Sequence, residues 1–223
     1  MEINDIPKNQ KVIKPWGSEY KIYSNSISST KLLRINSEKS TSLHCHPIKK
    51  TGFVLIKGEV EVDLGFYNTK KLSPISRLMI RPGLFHSTKN SNKDTATILE
   101  IETPIDKDDL VRFKDNYGRE NQPYEDKKSM VQLEKNDPIF DEPILNSVNE
   151  YSVDGVNIKI NKTNDVNQLL KLESNSIIAV LDGGFESDDN QLVLSPGDIV
   201  GLETIKKLAE VFKIQKYITY LTI

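Results

Sequence analysis

Short apolar runs separated by turn residues dominate the first half of the chain. Each run is rich in Val, Ile, Leu or Thr, and Gly, Pro, Asn or Ser punctuates it, which is the pattern of short β-strands. "GEVEVDLG" (58–65) alternates apolar and polar residues with a period of two, as a half-buried strand does. No long amphipathic pattern interrupts these runs, so they predict an all-β sandwich or barrel. The runs are "TKLLRIN" (30–36), "TGFVLIKGEVEVDLG" (51–65), "SRLMIRPG" (76–83) and "ATILEIETP" (96–104).

The pattern changes between about residue 105 and residue 150. This stretch is strongly charged, and we expect at most a short helix near "DDLVRFKD" (108–115). "EKNDPIFDEPILN" (134–146) carries two prolines and is predicted to be an extended connector. Strand patterns then return, and "ETIKKLAEVFK" (203–213) fits either a helix or a loop with a strand. The predicted strands are "GVNIKIN" (155–161), "NSIIAVLDGGF" (175–185), "NQLVLSPGDIVGLE" (190–203) and "YITYLTI" (217–223).

The two halves of the chain share one order of features. An apolar strand, a Gly turn, a polar hairpin and then "LSP" with another strand occur at 54–83 and again at 179–203. This similarity predicts a diverged internal repeat. The second copy contains no histidine, so we expect it to cover the first half or to form an oligomer interface, because exposed sheet edges favour such pairing.

Charge and composition narrow the possible partners. The net charge is −2 and the pI is near 6.0, so a nucleic-acid partner is not expected. The apolar runs are far shorter than the roughly 20 residues that span a bilayer, and the N-terminal sequence lacks the apolar core of a signal peptide. Cys45 is the single cysteine and cannot form an internal disulfide. These features predict a cytoplasmic protein.

Three histidines form the candidate metal site. His44 and His46 are two residues apart in strand-like sequence, so their side chains point to the same face. His86 follows a "PG" turn at the start of another strand and supplies the third ligand. Three neutral imidazoles suit transition metals such as Zn, Fe or Ni better than Ca or Mg. Three protein ligands leave positions open for water or substrate, which is the catalytic arrangement.

The spacing of these histidines resembles the cupin superfamily. The first cupin motif places a glutamate five residues after the second histidine and a glycine seven residues later, and here those positions hold Thr51 and Gly58. The second motif ends with a histidine and then an asparagine four residues on, which matches His86 and Asn90. All three histidines fall on motif positions. The opening glycine of the first motif is missing, and the proline of the second is displaced by one residue.

Two flanking segments narrow the resemblance. "KPWGSEY" (14–20) and "DDLVRFKDNYGR" (108–119) look like the flanks of the cupin domain at the C-terminus of type II mannose-6-phosphate isomerases and of related surface-polysaccharide cupins. The resemblance covers about residues 14–120. It implies a jelly-roll (double-stranded β-helix) barrel followed by a second, degenerate cupin-like half, a bicupin. The expected division is a metal-binding barrel with an N-terminal arm (1–105), a charged connector (106–150) and a domain without metal ligands (151–223).

Several further residues are candidates for the site. Glu100 and Glu102 alternate on one strand and share a face, so either is a candidate general base, with sheet-edge solubility as the alternative role. Arg81 lies just before the motif turn and is a candidate for binding an anionic substrate. Thr51 is a candidate for holding substrate or a metal-bound water through its hydroxyl. Other lysines near the motifs fit a cationic rim over the pocket, although each fits a solvated surface position better.

Three functions remain open on this evidence. The leading hypothesis is a metal-dependent cupin enzyme, isomerase-like, acting on a sugar or sugar phosphate in surface-glycan metabolism as a homodimer. Its cofactor would be a divalent transition metal, Zn, Fe, Mn or Ni. The loss of the motif glutamate at Thr51 puts the isomerase activity in question and leaves a three-His iron dioxygenase as an alternative. A non-catalytic sugar-binding cupin is the third hypothesis.

Overall fold

A seven-stranded antiparallel sheet forms the centre of the molecule. The computed structural model describes residues 9–106, 108–119 and 129–223. In spatial order its strands are β13 (Met130–Gln132), β1 (Gln10–Lys14), β2 (Gly17–Ser24), β3 (Ser29–Ile35), β11 (Ala96–Thr103), β6 (Lys50–Lys57) and β9 (Ser76–Ile80). Four of the strands, β3, β6, β9 and β11, come from the apolar runs in the first half. The other three, at one edge of the sheet, come from segments before and after those runs.

A second antiparallel sheet packs against one face of the central sheet. Leu33, Leu55 and Ile98 of the central sheet meet Val60 and Val62 of the second sheet in one apolar cluster. The two sheets therefore form the predicted jelly-roll barrel around a shared interior. The second sheet contains, in spatial order, β12 (Val111–Lys114), β5 (Leu43–Cys45), β10 (His86–Asn90), β7 (Val60–Leu64) and β8 (Asn68–Leu72), and β4 (Lys39–Ser40) also pairs with β10.

A third antiparallel sheet from the C-terminal half covers the other face of the central sheet. Its strands are β14 (Ser147–Val153), β15 (Val156–Thr163), β19 (Lys213–Thr222), β16 (Ile177–Glu186) and β17 (Leu192–Leu194), with β18 (Ile199–Gly201) paired to β16. Two helices, α1 (Val166–Leu170) and α2 (Leu202–Ala209), pack on its outer face through Leu169, Leu202 and Ile205. The described C-terminal residues thus form one sheet with two helices, and the predicted second barrel is not confirmed.

Most predicted strands are confirmed, and one element was wrong. The segment at 108–115, expected to hold at most a short helix, contains strand β12, because pairing with β5 supplies its backbone hydrogen bonds and overrides local propensity. The helix at 203–213 is confirmed as α2, whereas α1 was not predicted. The 134–146 connector is confirmed as lacking regular elements. The first eight residues of the predicted arm, residue 107 and residues 120–128 of the predicted connector lie outside the described residues.

No described helix has the length and apolar character that crossing a bilayer requires.

The division of the chain at residues 105 and 150 stays a prediction. Residues from the predicted connector add β12 to one barrel sheet and β13 to the other. Phe140, further along that connector, is buried, and its amide donates to the carbonyl of Ile22 at 2.7 Å. The connector therefore packs closely on the barrel.

Candidate metal centre and active-site cavity

The three histidines converge inside the barrel because two neighbouring strands carry them. His44 lies on β5 and is the cross-strand partner of His86, the first residue of β10. His46 follows β5 directly. The ring centroids of His44 and His86 are 4.5 Å apart, and that of His46 is 5.2 Å and 5.7 Å from them. One nitrogen from each ring lies within 4.8 Å of the others, so the three side chains are close enough to share one ion.

Backbone carbonyls fix the same nitrogen in all three rings. Nδ1 of His44 lies 2.8 Å from the carbonyl of Ser42, and Nδ1 of His86 lies 3.0 Å from that of Leu84. Nδ1 of His46 makes a short contact with the Asp109 carbonyl. A carbonyl only accepts, so each Nδ1 carries the proton and donates, and each Nε2 keeps its lone pair. Such hydrogen bonds orient histidine ligands in metal sites.

The environment keeps the three imidazoles neutral. Burial lowers the pKa of His44 well below its ordinary value, and the neighbouring His86 and His46 lower it further. Burial lowers the pKa of His86 to about 4. Burial also lowers the pKa of His46, although the nearby Glu102 carboxylate opposes that shift. Neutral imidazole is the form that binds a metal, so the site is ready for one near pH 7.

A buried network of acids and lysines lies beside the histidines. Lys31 Nζ lies 2.6 Å from Glu102 Oε2 and 3.8 Å from Glu100 Oε2. Lys49 Nζ lies 3.4 Å from Glu102 Oε1, and His46 Nε2 lies 3.6 Å from that same oxygen. Alternate residues of a strand point to one face, which brings Glu100 and Glu102 of β11 into the barrel together. Their partners make this burial of charge tolerable.

The two carboxyl groups of this network differ in protonation. Burial raises the pKa of Glu100, the charge of Glu102 raises it further, and the value reaches about 8 although Lys31 opposes the shift. For Glu102, burial alone would raise the pKa, but Lys31, Lys49 and His46 outweigh it and hold the pKa well below the usual range. At neutral pH Glu102 is therefore the ionised member and Glu100 the member that carries a proton. Such separation of two neighbouring carboxyl groups is typical of active sites.

The histidines and the charged network line one cavity. Its volume is about 70 Å³, several times what one ordered water needs. Five basic and three acidic side chains line it beside the histidines, so basic charge is in excess. The charged lining residues are Lys14, Glu19, Lys31, Lys49, Glu100, Glu102, Arg112 and Arg119.

Two predicted substrate-binding residues have different positions. Arg81 is exposed and is not among the residues that line the cavity, because it lies in the turn after β9, outside the barrel. Thr51 is buried on β6 opposite Glu102 but is also absent from the cavity lining, and its hydroxyl has no hydrogen-bond partner among the described residues. Neither residue therefore lines the cavity, and Thr51 is related to the site only through its cross-strand neighbour Glu102.

The family assignment comes from sequence comparison. The family described as "Mannose-6-phosphate isomerase C-terminal" matches residues 2–115, about half of the chain. The chain belongs to this family. The predicted resemblance to the cupin domain of mannose-6-phosphate isomerases is thereby confirmed, and the matched residues include all three histidines and both glutamates.

The curated relatives include a xanthan biosynthesis protein and a mannose-1-phosphate guanylyltransferase. The xanthan biosynthesis protein XanB of Xanthomonas campestris is 27% identical over 113 residues, which are 50% of this chain and 24% of XanB. Mannose-1-phosphate guanylyltransferase ManC of Salmonella typhimurium is 25% identical over 113 residues, 50% of this chain and 23% of ManC. The chain covers about a quarter of the length of each of these relatives.

Solved structures include a similar protein with a double-stranded β-helix domain. It is an uncharacterized conserved protein from Klebsiella pneumoniae, 15% identical, with a TM-score of 0.40. The match covers 51% of this chain and 93% of that chain.

The donor set of this family member fits a divalent transition metal. Nε2 of His86 is buried and has no hydrogen-bond partner among the described residues. An orphaned buried acceptor is costly, and a metal ion at the meeting point of the three rings would satisfy it. His44, His46 and His86 would hold the ion, which would leave positions open for substrate.

Sequence reasoning did not identify Lys31 and Asp109 as part of this site, and it favoured a surface role for Lys49. Lys31 lies in the strand pattern "TKLLRIN". A lysine at an inward-facing position of a strand indicates a buried charge partner, and that feature could have identified it. By sequence, Lys49 fits a solvated surface position best. In the structure it is 3% exposed, and its Nζ lies 3.4 Å from Glu102 Oε1. Asp109 positions His46 through its carbonyl, and its carboxylate accepts from the amide of Lys49 at 2.8 Å. Asp109 lies in the flanking segment "DDLVRFKD", whose resemblance to the family domain was the only sequence feature that pointed to it.

Proposed function

We propose that this protein is a metal-dependent cupin enzyme that isomerises a sugar or sugar phosphate in surface-glycan metabolism. One observation carries the proposal. Three imidazoles with unprotonated Nε2 atoms converge beside a buried pair of carboxyl groups, Glu100 and Glu102, in one cavity. That set combines a metal site with a proton carrier, which are the two parts that proton transfer next to a carbonyl requires.

Glu100 is the better of the two candidate bases. A proton carrier is most effective when its pKa lies near the working pH, and the pKa of Glu100 is raised to about 8. Glu102 is a weak base because Lys31 and Lys49 stabilise its ionised form. In the proposed step, the ionised form of Glu100, which becomes the major form above about pH 8, takes the proton from the carbon next to the carbonyl and returns it to the neighbouring carbon. The sugar is isomerised with no atoms gained or lost.

The bound metal would supply Lewis-acid polarisation of the substrate carbonyl or hydroxyl oxygen. The chain's own residues would do the rest. His44, His46 and His86 hold the ion, and the basic residues of the cavity, which include Arg112 and Arg119, favour an anionic substrate. The family description and the relatives' names support a sugar phosphate as that anion.

The direct test is sugar-phosphate isomerisation by metal-reconstituted protein. Chelator-stripped protein would be loaded separately with Zn²⁺, Mn²⁺, Ni²⁺ or, without oxygen, Fe²⁺, and incubated with mannose 6-phosphate while ketose product is measured. We expect turnover with at least one metal, and a loss of at least about 100-fold in His86→Ala because a ligand is removed. Glu100→Gln should lower kcat while it leaves metal content unchanged. Absence of turnover on every aldose phosphate tested with every metal would refute the proposal.

The missing motif glutamate favours one alternative strongly enough to test. With Thr51 in place of that carboxylate, the motif positions themselves supply three histidines, which is the ligand set of three-His iron dioxygenases. This alternative predicts dependence on Fe²⁺ and consumption of oxygen, which an oxygen electrode would detect. The isomerase predicts neither. A sugar-binding cupin without catalysis would bind sugar phosphate in calorimetry, with no turnover in either assay.

Two further properties are proposed from sequence alone. A homodimer would cover exposed sheet edges, and a single unpaired cysteine suits the cytoplasm. Sedimentation velocity would measure the first.

A further inference from the structure

The strand register brings a carboxylate next to the position where the cupin motif has its glutamate. Thr51 on β6 stands directly opposite Glu102 on β11 in the antiparallel pairing. Residues opposite each other in such a pair point to the same face, with Cβ atoms roughly 5 Å apart. Glu102 therefore enters the cavity from the neighbouring strand at the level of Thr51.

Glu102 and His46 face each other through two atoms that both accept hydrogen bonds and donate none. His46 Nδ1 donates to the Asp109 carbonyl, so its Nε2 carries a lone pair. Glu102 Oε1 lies 3.6 Å from that Nε2, which is too long for a hydrogen bond. Two acceptors at this distance repel each other unless a cation lies between them. Two ligands about 2.1 Å from one tetrahedral ion are about 3.4 Å apart, close to the observed separation.

We infer that Glu102 is the carboxylate ligand of the metal site, supplied from β11 in place of the residue at position 51. The inference rests on the proposed metal-dependent function and deepens it. His46 belongs to both close groups of candidate donors, one with His44 and His86 and the other with Glu100 and Glu102. An ion held by the histidines would thus be bound to His46, whose Nε2 lies 3.6 Å from Glu102 Oε1.

Two lysines contact the carboxylate of Glu102, whereas Glu100 has only a longer contact with Lys31. Lys31 approaches Glu102 on Oε2, at 2.6 Å, which leaves Oε1 turned toward His46. Lys49 is 3.4 Å from Oε1 and keeps it ionised. Glu100 lies 3.8 Å from Lys31. The two glutamates share a strand, a face and near-complete burial, so each is a matched control for the other.

The test measures metal affinity. Chelator-stripped wild type, Glu102→Gln, Glu100→Gln and the double variant Thr51→Glu/Glu102→Gln would be titrated with Zn²⁺ against a chromophoric competitor. Visible spectra of the Co²⁺ forms would report the ligand set. We expect Glu102→Gln to bind at least about 100-fold more weakly, Glu100→Gln to stay within about threefold of wild type, and the double variant to recover to within about tenfold. The Co²⁺ spectrum should change in Glu102→Gln and stay unchanged in Glu100→Gln.

Other results would overturn the inference. Binding by Glu102→Gln within about threefold of wild type, or an equal loss in Glu100→Gln, would remove Glu102 from the ligand set. If Glu102→Gln fails to fold, a crystal structure of zinc-loaded wild type decides, because Oε1 either is or is not among the ligands. Wild type that binds neither Zn²⁺ nor Co²⁺ would overturn the metal-dependent function as well. Wild type that binds and turns over, with Glu102→Gln binding equally, would overturn this inference alone.

Discussion

The two faces of the central sheet have opposite chemistry although the same strands build them. On β11, Leu99 and Ile101 point to the C-terminal sheet and join a wholly apolar cluster. Glu100 and Glu102, their neighbours in sequence, point into the barrel and join the charged network. The period of two along a strand is enough to separate a face that holds the molecule together from a face that carries chemistry. The C-terminal half packs on the apolar face of the central sheet. It contains no histidine that could serve as a metal ligand.

The barrel interior repeats this contrast along its own length. Leu55, Ile80 and Ile98 pack as a dry core at one end. The other end holds Lys31, Glu102 and the histidines, each paired with a charge, a carbonyl or, as proposed, a metal ion. Buried charges cost several kcal/mol each unless they are paired, so this end is stable only as a connected network. Because the two ends are separate, burial of apolar side chains at one end can offset the free-energy cost of burying charges at the other.

The largest expected effect comes from the apolar face. Ile101→Ala should lower the free energy of unfolding by about 2–5 kcal/mol, because Ile101 is fully buried between two sheets and truncation leaves a cavity. Zinc affinity of the folded variant should stay within about threefold of wild type, since Ile101 points away from the site. Urea unfolding followed by circular dichroism measures the first quantity and chelator competition the second. A large loss of zinc affinity in the folded variant would show that the two faces are coupled.

A smaller effect is expected from the charged face as pH changes. The pKa of Glu100 rises from 4.5 to about 8 on folding, so between these values folded protein binds a proton that unfolded protein has lost. The free energy of unfolding therefore falls as pH rises, by up to about 1.4 kcal/mol per pH unit. His86, with its pKa lowered from 6.5 to about 4, acts in the opposite direction below pH 6.5.

All three histidines have lowered pKa values and still contribute just above pH 6.5, so the Glu100 effect is measured as the difference between wild type and Glu100→Gln. Between pH 6.5 and pH 8 the free energy of unfolding of metal-free wild type should fall by about 1–2 kcal/mol relative to that of Glu100→Gln, because the amide does not titrate and the histidines contribute equally to both proteins. Urea unfolding at both pH values measures the difference. Equal losses in the two proteins would mean that Glu100 is already ionised in the folded state.

The smallest effect is expected outside both faces. Arg81→Ala should change the free energy of unfolding by less than about 0.5 kcal/mol and leave zinc affinity and KM unchanged, because Arg81 is exposed and does not line the cavity. Arg112→Ala is the comparison, since Arg112 lines the cavity and should raise KM for an anionic substrate. A raised KM in Arg81→Ala would restore the sequence-based prediction that this arginine binds substrate.

Sequence reasoning identified the candidate metal ligands more completely than the residues around them. The spacing of His44, His46 and His86 matches a motif, and strand alternation puts Glu100 and Glu102 on one face. Lys31 and Asp109 were missed because neither belongs to a histidine motif, and only the assembled sheets bring them next to the histidines. Arg81 was chosen because it lies near a histidine in sequence, but the turn after β9 directs it outward.

The sequence by itself determined the strand pattern and the three candidate ligands, because these depend on local periodicity and fixed spacing, and its resemblance to a family implied the cupin-type barrel. Only the tertiary structure decided that Thr51 faces Glu102, that two lysines hold that carboxylate, and that the C-terminal half forms one covering sheet. Those facts depend on register and on contacts between distant segments. No local pattern encodes them, since cross-strand neighbours such as Thr51 and Glu102 are fixed only when the whole sheet assembles.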